Sequence, residues 1–391
     1  RRQAQDADIV VINHHLLFAD MVLKEEGFGE LLPGADAFII DEAHQLPGVA
    51  SVFFGVSLSS HQLRDLVRDT RLEQLREAGD MQDLPDAADK LESITHQLRL
   101  ALGQTDRRAA WSEVAGDVAL QSALQQLAEC LQQLLDWLEI AAERGKGLES
   151  CRARAALLSE RLTLLMNSAS SEYIHWFETF RTSFRLNLTP LNVAPVFRSC
   201  MEALPSAWVF TSATLAVGDS FEHFAGQLGL DDARRLKLDS PFDYQRNALL
   251  YLPENMPAPN ERDYVDAVVS CTRDVLEASA GRAFVLFTSH TALQSAAAQL
   301  ADTLDYPLLV QGTAPRRELL ERFRELGNAV LLGTGSFWEG VDVRGAALSC
   351  VIIDKLPFSS PGDPILQARI EALREQGINP FMAYQLPHAV I

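Results

Sequence analysis

Short apolar runs that stop abruptly at polar signatures recur along the chain. Ala37–Ile40 empties into Asp41-Glu42-Ala43-His44, Ala207–Phe210 into Thr211-Ser212-Ala213-Thr214, and Ala283–Phe287 into Thr288-Ser289-His290. Ala329–Leu332 opens into the glycine-rich Gly333–Asp342, and Leu348–Ile353 forms a further run. Runs of this length, rich in β-branched and aromatic residues, predict buried strands. The β-branched Asp8–Asn13 predicts another, with His14–Phe18 opening a short helix. Helical patterns at Leu293–Leu300 and Arg316–Leu326 alternate with the later strands, with Leu308–Val310 between them. Such alternation specifies an α/β fold with parallel sheets and right-handed crossovers.

From about Leu58 to Thr182 the texture changes to Leu, Gln, Ala, Arg and Glu, which predicts a helical insert. Leu120, Leu124, Leu127, Leu131, Leu134 and Leu138 fall on one face of a long helix, and Leu157, Leu158, Leu162 and Leu165 suggest a second. These stripes read as packing surfaces between helices. Tyr173–Leu188 interleaves aromatics with arginines. Phe184, Leu186 and Leu188 read as the buried face of a strand returning to the first domain, while Tyr173, Trp176, Arg181 and Arg185 are also compatible with a platform for single-stranded nucleic acid. Gly27–Gly34 predicts a loop, and Ser240-Pro241-Phe242 with Leu252–Pro259 a linker.

A length of 391 residues predicts two or three domains of about 150 residues each. Hydrophobic residues at 47% and charged residues at 22% are ordinary for a folded protein. No apolar run approaches the roughly 20 residues that span a bilayer, so no membrane partner is expected. A formal charge of −19 argues against nucleic acid as partner, although a locally basic or amide-lined groove can hold DNA on an acidic protein. The five cysteines form no C-x-x-C pair and read as reduced thiols of a cytoplasmic protein. The chain starts at Arg1 and stops in an apolar run, which reads as a piece of a longer protein.

Ligands of open α/β sheets sit at the carboxyl ends of strands, which is where Asp41 and Glu42 fall. Asp41 is a candidate to hold a metal ion through water, and Glu42 to polarise an attacking water. The competing reading is a plain acidic surface turn. Asn13 and His14 read as hydrogen-bonding groups at the edge of the same cleft, and no histidine spacing fits a zinc motif. Ser212 and Thr214 are placed to bond either the first carboxylates or a neighbouring domain. Thr288, Ser289 and Thr334 would face one sheet edge, where amides and hydroxyls suit a nucleic-acid backbone. The glycines of Gly333–Asp342 permit tight turns, Trp338 fixes the loop, and Glu339 and Asp342 supply carboxylates. No G-x-x-x-x-G-K-[ST] phosphate loop occurs. Nor is there an added acidic cluster that would support a two-metal nuclease.

Taken in series, Asp41-Glu42-Ala43-His44, Thr211-Ser212-Ala213-Thr214-Leu215, Gly335-Ser336-Phe337-Trp338-Glu339-Gly340-Val341-Asp342 and Lys355-Leu356-Pro357-Phe358 resemble motifs of the DinG/XPD group of superfamily 2 helicases. The resemblance implies an ATP-dependent 5'-to-3' DNA helicase of repair or replication, with two RecA-like domains, an Arch insertion and a [4Fe-4S] cluster. It divides the chain into 1–57 (RecA-like domain 1 with the DEAH box), 58–182 (Arch-like insert), 183–239 (return to domain 1) and 240–391 (RecA-like domain 2). It assigns Asp41 to Mg2+, Glu42 to the hydrolytic water and His44 to coupling. Gly340 and Asp342 would lie near ATP, and Ser212, Ala213 and Thr214 would couple the domains. Asn13, His14, Thr288, Ser289 and Thr334 would touch DNA. Single-stranded or forked DNA is the implied substrate, and chi, a replicative polymerase accessory subunit, a conceivable partner. The phosphate loop, the cluster cysteines and the arginine motif VI of the group have no counterpart in this chain, so the chain alone is expected to hydrolyse ATP negligibly. The alternative is a non-catalytic DNA-binding or scaffolding module with a degenerate helicase fold.

Overall fold

A computed structural model describes residues 6–25, 31–167, 171–338 and 340–390. The chain divides into two compact units, Arg1–Lys237 with Ser359–Ile391, and Leu238–Phe358. The sequence reading carries the second domain from 240 to 391, whereas Ser359–Ile391 clusters with the first unit. Residues 27–30 of the Gly27–Gly34 loop, and Glu339, lie outside the described residues.

The first unit opens with α1 (His14–Glu25), β1 (Ala37–Ile40) and α2 (Leu46–Phe53). The Asp8–Asn13 run, predicted as a strand, is irregular instead, with Ile9 83% and Val11 92% exposed. An isolated β-branched run gains nothing from extension without a ladder partner, and this one has none among the described residues.

The insert follows: β2 (Val56–Ser59), α3 (Ser60–Glu77), α4 (Asp83–Ala101), β3 (Arg107–Ala110), α5 (Val118–Ala141), α6 (Lys146–Asn167), β4 (Tyr173–Thr179) and β5 (Phe184–Pro190). Its helices start where the sequence caps them. Ser59 and Gln62 form a reciprocal capping box on α3, and the Asp117 carboxylate accepts from Ala119 N and Leu120 N at the start of α5. The leucine stripe of α5 is buried throughout, and Leu158, Leu162 and Leu165 of α6 join the same core, while Leu157 faces solvent. The strands make an antiparallel sheet in the order β2-β5-β4-β3. Phe184, Leu186 and Leu188 form its buried face, as their alternation predicts, but β5 pairs with β2 and β4 of the insert. Trp176 is buried too, with Nε1 donating to Thr189 Oγ1 at 2.9 Å and the Arg108 guanidinium 4.3 Å above its ring. It is committed to this sheet and its ring face is covered.

The chain continues through α7 (Ala194–Glu202), β6 (Ala207–Phe210) and α8 (Glu222–Leu228). β6 pairs in parallel with β1, Ala37 opposite Ala207 and Ile40 opposite Phe210. Helices cover one face of this pair, where Phe38 stacks on Trp208 and Ile40 is buried, whereas Ile39 is 71% exposed. β1 is thus a half-buried strand, although its apolar run predicts burial on both faces.

In the second unit, α9 (Tyr244–Asn247) lies in the proline-rich stretch, followed by α10 (Tyr264–Ser279), β7 (Ala283–Leu286), α11 (His290–Ala301), β8 (Leu308–Val310), α12 (Arg316–Leu326), β9 (Val330–Gly333) and β10 (Cys350–Ile353). The four strands form a wholly parallel sheet in the order β10-β7-β9-β8. Apolar clusters lie on both of its faces, so its strands read as continuous apolar runs. The segment 359–391 contributes α13 (Pro364–Glu375) and α14 (Leu386–Val390).

On β4, the His175 ring stacks 4.4 Å from Trp111, and burial pushes its pKa down from 6.5 to about 4. The unfolded chain takes up a proton as pH falls through 6.5 and the folded chain does not, so His175 contributes stability at neutral pH that is lost between about 6.5 and 4. His175→Gln is expected to shrink the loss of unfolding free energy between pH 7 and pH 4.5 by roughly 2–3 kcal/mol, measured by urea denaturation at both pH values.

Candidate active site

Past the ends of β1 and β6 the parallel ladder continues. Thr211 N donates to Ile40 O at 2.8 Å, and Ala43 N donates to Thr211 O at 3.0 Å. Between these bonds the chain turns through Glu42 in the left-handed region, φ 48° and ψ 44°. A non-glycine residue there costs about 1–3 kcal/mol and persists only where its surroundings over-determine it.

The turn brings together residues far apart in sequence. Ser212 Oγ donates to Glu42 Oε2 at 3.2 Å and lies 2.8 Å from His44 Nδ1. With the serine O–H directed at Glu42, His44 Nδ1–H is the donor to Ser212 Oγ, which also accepts from Thr214 N at 3.2 Å. His44 Nδ1 is itself 3.4 Å from Glu42 Oε2. The Glu42 carboxylate is therefore oriented by a hydroxyl and an imidazole while remaining half exposed. Ala213 is exposed and supplies only the bend between the two hydroxyl residues.

Asp41 presents an exposed carboxylate, and its backbone carbonyl accepts from the His14 ring, Nε2 to O 2.9 Å. Asn13 caps α1, its Oδ1 accepting from Leu16 N at 2.8 Å. A single exposed carboxylate at a strand end has the donor chemistry for Mg2+, which keeps several waters and takes few protein ligands. The residues present do not fit a [4Fe-4S] cluster. The five cysteines are free on separate elements, and no group of metal-ligating side chains occurs among the described residues.

In the second unit, β7 and β9 end side by side, so Thr288 and Thr334 occupy the same edge of the parallel sheet. Thr288 N donates to Asp354 Oδ1 at 3.2 Å, and Ser289 Oγ caps α11 by accepting from Ala292 N. Thr334 is buried, with N and Oγ1 both donating to Gln311 Oε1, at 2.6 and 3.2 Å. Gly333 is required by close approach, since a Cβ there would sit 2.8 Å from Phe337 Cβ. Gly340 and Asp342 are held through their carbonyls, which accept from Arg316 and Arg324 of α12 at 2.9 and 2.6 Å. The Asp342 carboxylate meets Arg344 at the surface.

Asp354 and Gln311 escaped the sequence reading. Asp354 follows β10 and carries a buried carboxylate that also accepts from Lys355 N, while its carbonyl accepts from the Tyr264 hydroxyl. Burial pushes its pKa up, against the opposing pull of Lys355. Its signal was available, since an apolar run ending in a carboxylate is the pattern that singled out Asp41. Gln311, just after β8, shows no such contrast.

Two parallel sheets with polar residues at their carboxyl edges, and an oriented glutamate at one of them, define an α/β protein with a candidate site at the strand ends. Residues 272–391 match the helicase C-terminal domain family. The described fold resembles the solved structure of S. tokodaii Xpd4, with a TM-score of 0.54 over 97% of this chain and 72% of that one at 14% identity. Along its whole length the sequence is similar to those of two curated bacterial proteins. It is 45% identical to the ATP-dependent DNA helicase YoaA of Escherichia coli and 29% identical to the ATP-dependent DNA helicase DinG of Photobacterium profundum, each match covering all of this chain. The chain spans 62% and 63% of those proteins. Both relatives carry the names of ATP-dependent enzymes.

Gln311→Ala would leave the buried Thr334 amide and hydroxyl without their acceptor, and is expected to destabilise the second unit by about 1–3 kcal/mol in chemical denaturation.

Proposed function

We propose that the chain is the central part of an ATP-dependent DNA helicase that moves 5' to 3' on single-stranded or forked DNA in repair or replication. The observation that carries this reading is the Glu42 carboxylate, held at the end of a parallel strand by Ser212 and His44. Phosphoanhydride hydrolysis needs a water aimed in line at the γ-phosphorus, and a fixed carboxylate that accepts a hydrogen bond from that water does the aiming. The hydroxyl and imidazole orient the carboxylate and leave its second oxygen a competent acceptor. Asp41 would hold Mg2+, which when bound neutralises charge on the phosphates. Because Ser212 bonds directly to Glu42, a shift of the Thr211–Thr214 segment changes the aim of the carboxylate, and this is the coupling role assigned to Ser212, Ala213, Thr214 and His44.

On the same reading, 1–57 with 183–239 (one RecA-like domain), 58–182 (Arch-like insert) and 240–391 (second RecA-like domain) hold as the broad division, with β2 and β5 going to the insert and Ser359–Ile391 to the first unit. Thr288, Ser289 and Thr334 line the DNA-facing edge, and Gly340 and Asp342 lie near ATP, whereas Asn13 and His14, which the resemblance assigns to DNA, are engaged at the first turn of α1 and on the Asp41 carbonyl. The protein works in the cytoplasm, with chi as a protein partner to be tested. The chain contains no G-x-x-x-x-G-K-[ST] phosphate loop. The 391-residue chain alone is therefore expected to show no DNA-stimulated ATP hydrolysis above background.

In the full-length protein, Glu42→Gln is expected to lower DNA-stimulated ATP hydrolysis by about 10²-fold or more while leaving nucleotide-free DNA affinity within about twofold. Turnover that survives the substitution would remove Glu42 from the mechanism.

A further inference from the structure

We propose that His14 is a positioning residue for the acidic turn, fixing the peptide plane on the N-terminal side of Glu42. Two peptide planes flank the Glu42 Cα, and together they set its left-handed conformation. The following plane is pinned twice, by Ala43 N donating to Thr211 O and by Gln45 N donating to Glu42 O, each at 3.0 Å. The preceding plane carries the Asp41 carbonyl, and the His14 ring holds it, Nε2 to O 2.9 Å. A carbonyl only accepts, so Nε2 carries the proton in this contact.

The helix that delivers His14 is firmly seated. Leu17, Phe18 and Met21 of α1 are buried, and the Phe18 ring packs on Phe53 of α2 and on Phe197 of α7. Leu16 N on Asn13 Oδ1 and Leu17 N on Asn13 O fix its first turn. His14 therefore projects from a rigid element onto a carbonyl 27 residues further along the chain. Release of that carbonyl lets the plane between Asp41 and Glu42 rotate, and Glu42 relaxes out of a conformation that only its surroundings maintain.

The link to turnover rests on Glu42 acting on water, whereas the link to the turn does not. Hydrogen exchange on the 391-residue chain reads the turn directly. His14→Ala is expected to speed exchange of the Ala43 and Gln45 amides by about tenfold, and His14→Gln, which restores an N–H donor, to return it to within about threefold of the parent rate. In the full-length protein, His14→Ala is expected to lower kcat for DNA-stimulated ATP hydrolysis by about tenfold, with KM for ATP and nucleotide-free DNA affinity within about twofold and recovery in His14→Gln. Unchanged exchange in His14→Ala overturns the inference. So does weakened DNA binding with full kcat at saturating DNA, which would make His14 a DNA contact. Exchange that behaves as stated while Glu42→Gln keeps full turnover would leave the positioning role standing and remove the hydrolytic reading.

Discussion

The parallel pairing of Ala37–Ile40 with Ala207–Phe210 is the constraint on which the site depends. Residues 42 and 212 are 170 positions apart, and no local preference of either segment brings them together. The ladder does so, and by running on through Thr211 and Ala43 it forces a bend that an L-residue adopts only under compulsion. Aromatic packing behind the strands, Phe38 on Trp208 and Trp208 on Phe210, makes that compulsion stiff. The strain at Glu42 is thus supported by the core beneath it.

A similar logic governs the carboxyl edge of the second sheet with different chemistry. There the backbone amides of Thr288 and Thr334 are bound by side-chain acceptors, Asp354 and Gln311, and the glycine-rich loop is suspended by its carbonyls from two arginines of α12. Acceptors meet amides and cations meet carbonyls, so the loops are held by their main chain. A buried carboxylate with a raised pKa is a costly anchor.

Much of this was legible from residues alone, because strands and helices declare themselves by period and strand ends by a sudden change of polarity. The alternation of Ala283–Ile353 specified a parallel sheet, and the leucine stripe specified α5. What escaped depends on partners. Asp8–Asn13 has strand composition but no neighbour to pair with among the described residues, and Ile39 has a core residue's identity but an open face. Phe184–Leu188 announced its buried side, but the return to the first domain expected of it gives way to pairing within the insert's own sheet. The Ser212 hydroxyl was recognised as a bonding group with two possible destinations. Only the three-dimensional register selects Glu42 and His44.

The insert enters along β2 and leaves along β5, and these strands lie antiparallel side by side, with Ser59 opposite Arg185 and Val56 opposite Leu188. Its ends are therefore as close as the two arms of a hairpin, whatever lies between them. A segment attached in this way can lengthen, shorten or be exchanged without altering the distance the base must span, because loop closure depends only weakly on the length enclosed. The β2–β5 pair thus fixes the span at the base of the insert independently of the turn at Glu42.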